Sequence, residues 1–174
     1  MADTAMSGAG TTGGDDPLQR AIWRLRSRGC WTDAAALLTP HAGRAASAAA
    51  AVQRTALLVE RCLFTGQGWA EAEDALRIAE AIAQDDDDRG AAACERGQLA
   101  YAATVLGVRD RADEARSALG RAAALLSPDS RTRPLLDFRR GLVAEHLADA
   151  PPEGRPAQHP APPGGGGPRG PPLG

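Results

Sequence analysis

The chain of 174 residues contains no lysine and no asparagine, and only 3% of its residues are aromatic. All 20 basic residues are arginine. Together with abundant alanine, glycine and proline, this points to a GC-rich coding sequence, so arginine in place of lysine carries no argument about phosphate recognition. Isoleucine is nearly absent, which leaves alanine and leucine to build the core and favours helices over strands. No run approaches 18 uninterrupted apolar residues, which excludes a membrane-spanning helix. No basic region followed by an apolar run opens the chain, so no secretory signal is expected. Cys30, Cys62 and Cys94 form an odd set without a CxxC pair. Isolated thiols of this kind fit a reducing cytoplasm, where they act as small buried hydrophobes. The formal charge of −2, from 20 basic and 22 acidic residues, gives no global field toward nucleic acid or a membrane surface, and neither is expected as a partner.

What is present divides into three parts. Residues 1–14 are rich in glycine, alanine and threonine, and residues 149–174 are mostly proline, glycine and alanine. Neither segment can bury enough apolar surface to offset the entropy of ordering, so both are expected to be disordered. Residues 15–148 are the foldable part, the size of one domain.

Within that part the apolar spacing predicts about seven helices and no strand. Asp16-Pro17-Leu18-Gln19 is a helix start, and Leu18, Ile22 and Leu25 give its apolar face, with Gly29 ending it. A short second helix is expected from a Thr32 cap to Leu38, cut by Pro40. The third spans about Ala45–Thr65. The fourth, Trp69–Ala83, carries an apolar stripe of Ala72, Ala75, Leu76, Ala79 and Ile82. The fifth is expected over about Asp88–Leu106, the sixth over Arg111–Leu126. The seventh starts near Thr132–Pro134 and ends by Ala150-Pro151-Pro152.

Pieces of this pattern recur. Trp69-Ala70-Glu71-Ala72 with Leu76 and Ala79 matches Ala112-Asp113-Glu114-Ala115 with Leu119 and Ala122. A fainter copy is Trp31-Thr32-Asp33-Ala34 with Leu38. Among the alternate helices, Arg96-Gly97 matches Arg140-Gly141. Repetition at such periods marks a helical solenoid. In Gly97 with Tyr101, then Glu114-Ala115, Leu119, Ala122 and Pro128, the chain resembles tetratricopeptide (TPR) repeats. The preceding unit follows the same order with Gly68-Trp69, Glu71-Ala72, Leu76 and Ala79. The resemblance implies an all-α fold of antiparallel helical hairpins stacked as a short right-handed solenoid over about Pro17–Leu147. The family period is nearer ~34 residues, so these hairpins are long. Arg96 and Arg140 stand where the family pattern prefers leucine, and Pro40 falls inside the first unit's second helix. An irregular helical bundle is the other architecture these residues allow.

No chemistry-bearing constellation emerges. Read as a calcium loop, Asp85–Asp88 places Arg89 at position five and Arg96 at position twelve, where oxygen ligands belong; a solvated turn capping the fifth helix through its last Asp is the better reading. His41, His146 and His159 are scattered, and adjacent Glu145 and His146 point about 100° apart on a helix, so no metal site is expected. No GxxxxGK[ST], GxGxxG or nucleophile elbow occurs, so neither an enzyme nor a cofactor is expected. The arginines Arg20, Arg24, Arg26 and Arg28 read as the solvated face of a terminal helix. Pro160-x-x-Pro163 and Pro168-x-x-Pro171 are polyproline-like matches that the tail's composition alone can generate.

The expected function is therefore a non-catalytic module that binds a protein or peptide. The resemblance implies a groove lined by the first helix of each hairpin. With Gly97 and Gly141 as register marks, its outward positions are Arg61, Phe64, Cys94, Gln98, Tyr101, Phe138, Leu142 and Glu145. The family's carboxylate clamp needs lysine and asparagine, which this chain lacks. Two alternatives are an effector-sensing regulatory fragment, as in bacterial transcription regulators, and a truncated repeat protein. In the latter, residues 132–148 would lack a mate and self-associate.

Overall fold

The computed structural model describes residues 16–42 and 47–147. The N-terminal segment 1–14, the tail 149–174 and the PxxP matches lie outside these. The described residues form seven α-helices, α1 Pro17–Arg26, α2 Trp31–Leu38, α3 Ala48–Thr65, α4 Trp69–Ile82, α5 Asp86–Val105, α6 Ala112–Leu125 and α7 Arg133–His146. They contain no strand.

Local chemistry sets the ends of these helices. The Asp16 carboxylate accepts the Leu18 N–H at 2.9 Å, and Pro17 occupies the first turn of α1. Pro40 stops α2 and bends Thr39–His41 into a single 3-10 turn. Ser47 caps α3 through the Ala50 N–H, so that helix begins at Ala48; the expected start at Ala45 lies outside the described residues. Two caps differ from expectation. α2 starts at Trp31 with no side-chain cap, which leaves Thr32 inside the helix. At α5 the cap is Asp85, not Asp88. The Asp85 carboxylate accepts the Asp88 N–H at 2.8 Å, and Asp88 reaches back to the Gln84 N–H at 3.2 Å. Asp85 and Asp88 therefore form a reciprocal cap at the positive end of α5. Positive-φ glycines, Gly66 and Gly68 (φ 68° and 84°), turn the chain between α3 and α4.

Each helix packs on the next, and α3 also packs on α5 and α5 on α7. The repeated positions carry the core. Ala34, Ala72 and Ala115 are each 0% exposed, and Leu38, Leu76 and Leu119 are at most 2% exposed. One cluster joins α1–α4 with Leu99, and a second joins α5–α7 around Leu119, Leu126 and Leu136. α5 is the hub, buried on most of its circumference. Gly97 lets it approach α6, because a methyl group there would lie 2.6 Å from Leu119. Gly141, its partner in the sequence register, faces open space.

Ion pairs tie α4, α5 and α6 together on another face. Arg96 donates to Glu80 through two bonds of 2.6 Å and to Glu114 at 3.2 Å; Arg111 donates to Glu114 at 2.7 Å and Glu73 at 2.5 Å. This accounts for arginine at position 96, where a leucine would leave Glu80 and Glu114 without that partner. The Arg111 hydrogen bond, helped by Arg96, holds the Glu114 carboxyl below its ordinary range. A depressed carboxyl contributes stability above its unfolded pKa of about 4.3, and that contribution is lost as pH falls through the lower folded value. Replacing Glu114 with glutamine is therefore expected to lower the urea midpoint at pH 7. The gap to the parent should narrow below about pH 4; a gap independent of pH would contradict the assignment.

Candidate functional cleft

α1 and α3 run side by side in parallel, fixed by two cross-helix contacts at the same sequence offset of 34. Gln53 donates to Gln19 at 2.7 Å and receives the return bond at 3.2 Å. One helical stretch further on, Arg26 donates to Glu60 through Nε at 2.8 Å and through a second, shorter bond from Nη2. That pairing raises the pKa of Arg26, against the desolvation that opposes it.

α7 meets α5 through a buried ion pair. Arg139 donates to both carboxylate oxygens of Glu95, at 2.8 and 3.0 Å, and to the Cys94 sulfur at 3.2 Å. The two side chains are 8% and 3% exposed. Burial disfavours the charge on Arg139, but the field and hydrogen bonds of Glu95 outweigh it, so the guanidinium stays charged. Burial pushes the Cys62 thiol up to about 11 and raises that of Cys94, which makes both poor nucleophiles.

Between these helices lies a cleft of about 270 Å³, walled by Gln19, Ile22, Trp23 and Arg26 of α1, by Gln53, Leu57 and Glu60 of α3, and by Leu135 and Arg139 of α7. Trp23, Arg26 and Glu60 also border a second hollow, which continues to Gly29, Trp31 and Phe64. Trp31 and Phe64 stack with centroids 5.5 Å apart and planes 8° from parallel. Trp23 and Phe64 are 67% and 68% exposed, which is unusual for the largest apolar side chains of a chain so poor in aromatics. The result is a surface where exposed aromatic rings stand beside internally paired charges and amides. It offers no acid–base pair or nucleophile to a reacting group. Among the described residues, no three His, Cys, Asp or Glu side chains converge as metal ligands, and no helix is long and apolar enough to cross a membrane.

Of the groove positions expected from sequence, only Phe64 lines this surface. Arg61 bonds Glu71 at 2.7 Å and lies over Gly68, bracing the α3–α4 turn. Cys94, Gln98 and Tyr101 are buried (0%, 8% and 5% exposed) and cannot form an open groove. The Tyr101 hydroxyl meets His146 Nδ1 at 2.5 Å and pins the end of α7 to α5. Phe138, Leu142 and Glu145 lie on α7 away from its buried Leu136, Arg139 and Val143. The Gly97–Gly141 offset of 44 is the offset at which Glu95 meets Arg139. α5 is covered on nearly all sides, so its sequence has no polar face from which its rotation can be read. Sequence reasoning misses Gln53 and Glu60, reads Arg26 only as part of a solvated face, and assigns Trp23 and Leu135 to no groove. The signal for four of the cleft residues was available as Gln19/Gln53 and Arg26/Glu60, two polar pairs at one offset.

No family model matches the chain, and no curated protein or solved structure is significantly similar to it.

Proposed function

We propose that the chain is a non-catalytic, TPR-like interaction module whose cleft between α1, α3 and α7 takes a segment of a protein or peptide. The observation that carries this reading is the pair of exposed rings, Trp23 and Phe64, the latter stacked on the half-buried Trp31, beside an Arg26–Glu60 pair whose charges are already matched. Aromatic side chains held open in a cleft are the residues that dominate binding energies at interfaces. The repeat character is supported by the equal burial of the aligned alanines and leucines and by the offset of 34 between α1 and α3. The test is affinity capture with the purified chain, followed by titration of the captured partner against variants. Trp23→Ala is expected to weaken binding by about 2 kcal/mol, some 30-fold. Tyr101→Phe, which keeps the buried ring, leaves affinity unchanged. Equal affinity of the parent and Trp23→Ala would remove the cleft from the account.

A second reading is favoured by one observation on α7, where Leu135 and Phe138 are 41% and 63% exposed beside the half-buried Leu142. A second copy of the chain packed on this strip would cover them. Light scattering of the full chain is then expected to show a mass that rises with concentration, and Phe138→Glu to hold it at the monomer value. A monomeric mass at all concentrations contradicts self-association.

A further inference from the structure

We propose that the hollow between α6 and α7 is a binding site for a small monocarboxylic acid with a hydrocarbon body, whose carboxylate pairs with Arg140. The hollow shares no residue with the aromatic cleft, and the proposal goes beyond the interaction role given above.

The site starts from a glycine that packing does not require. Glycine inside a helix costs stability relative to alanine, so its presence calls for a reason. Gly90 and Gly97 of α5 have one, since a methyl group there would lie 2.7 Å from Leu126 and 2.6 Å from Leu119. Gly120 of α6 has no atom within 4 Å of such a methyl group, and its φ is not positive. What its missing side chain leaves is space. Gly120 borders a hollow of about 340 Å³, a volume within the range of small-ligand sites. Its apolar lining comes from Leu119 on α6 and from Val143, Ala144 and Leu147 at the end of α7.

Two guanidinium groups border this apolar surface, and they differ in what they hold. Arg116 donates to Asp113 at 3.0 Å and to the Leu147 carbonyl, so its charge is matched and it ties α6 to the end of α7. Arg140 is exposed and makes no hydrogen bond or ion pair among the described residues. The hollow therefore combines hydrocarbon walls with one uncommitted positive charge. A planar guanidinium takes a carboxylate through two parallel N–H···O bonds, and one such fork suits a monoanion. A phosphate group, nearer to a dianion, would bring charge that has no partner here. A peptide is also a poorer fit. α6 and α7 spend their backbone N–H and C=O groups on their own ladders, so the amides of a peptide buried here would go unpaired. A hydrocarbon body needs no such partners and gains from covering Leu119 and Val143.

Isothermal titration of the full chain with sodium octanoate tests the site, with octanamide as the uncharged isostere. Octanoate is expected to bind saturably and at least ~10-fold more tightly than octanamide, the scale of a hydrogen bond to a charged group. Arg140→Gln is expected to abolish that preference, leaving both ligands at the affinity of the amide. Gly120→Leu fills the hollow with a side chain whose Cβ meets nothing within 4 Å and which favours the helix. It is expected to remove octanoate binding while raising the Tm of the free chain, so loss of binding is not loss of fold. No saturable heat with the parent chain overturns the proposal. So does an unchanged octanoate affinity in Gly120→Leu, or an acid-over-amide preference that survives Arg140→Gln. The cleft is judged separately, by the partner titration with Trp23→Ala.

Discussion

Glu95→Ala is expected to destabilise the protein by about 3–5 kcal/mol, among the largest losses available to a single substitution here. The cost does not come from the worth of the ion pair itself. Taking a carboxylate and a guanidinium out of water offsets most of their attraction, and a buried pair is often no more stabilising than apolar side chains of the same size. The cost comes from what is left behind. Arg139 is 7% exposed, and among the described residues its only other acceptor is the Cys94 sulfur at 3.2 Å, a weak one. Without Glu95, its guanidinium must remain charged in the gap between α5 and α7 or drag α7 outward to reach water. The double variant Glu95→Met/Arg139→Met is therefore expected to recover most of the loss, by replacing both charges with apolar chains that fill the space. Urea unfolding of parent, single and double variants gives the comparison. A single variant within about 1 kcal/mol of the parent would mean that Arg139 has a solvated alternative.

The second large effect is at the meeting of α5 and α6. Leu119 is 2% exposed and sits on Gly97, so Leu119→Ala removes a fully packed side chain and is expected to cost about 2–5 kcal/mol. Gly97→Ala should also destabilise, although alanine is the better helix former by about 1 kcal/mol. Its methyl group would lie 2.6 Å from Leu119 Cγ and Cδ2, in a core where the leucine has nowhere to retreat, at an overpacking cost of about 1–3 kcal/mol. Combined, the two changes partly cancel, because the added methyl group occupies space that the shortened side chain vacates. The double variant is thus expected to be more stable than the sum of the two losses. Gly141→Ala is the control. Nothing lies within 4 Å of the added methyl group, so only the gain in helix propensity remains and stability rises. Strict additivity of Gly97→Ala and Leu119→Ala would contradict the contact.

These cases show what could be read from the chain and what could not. The helices were legible because their stops are chemical: Pro40 ends α2, glycines at positive φ turn the chain after α3, and the apolar stripe of α4 has one period. The alignment of Ala34, Ala72 and Ala115 marked positions that are all fully buried. Cap residues were less legible, since four consecutive aspartates offer the same side chain at each position and only geometry selects Asp85. The site was mostly hidden. Gln98 and Tyr101 read as surface residues because a helix with neighbours on nearly every side has no polar face to set its phase. Nothing local to α1 says that Trp23 is exposed. The cleft joins residues from α1, α3 and α7, more than a hundred positions apart, and hydrophobic periodicity carries no information about such a meeting.

The measurement that bears most directly on the binding role is hydrogen exchange of the full chain with and without a captured partner. Binding in the cleft is expected to slow exchange in the C-terminal half of α1, at the start of α2, along α3 from Gln53 to Phe64 and in the first half of α7, leaving α4 and α6 unchanged. Protection confined to α4 and α6, or none in α1, would contradict it.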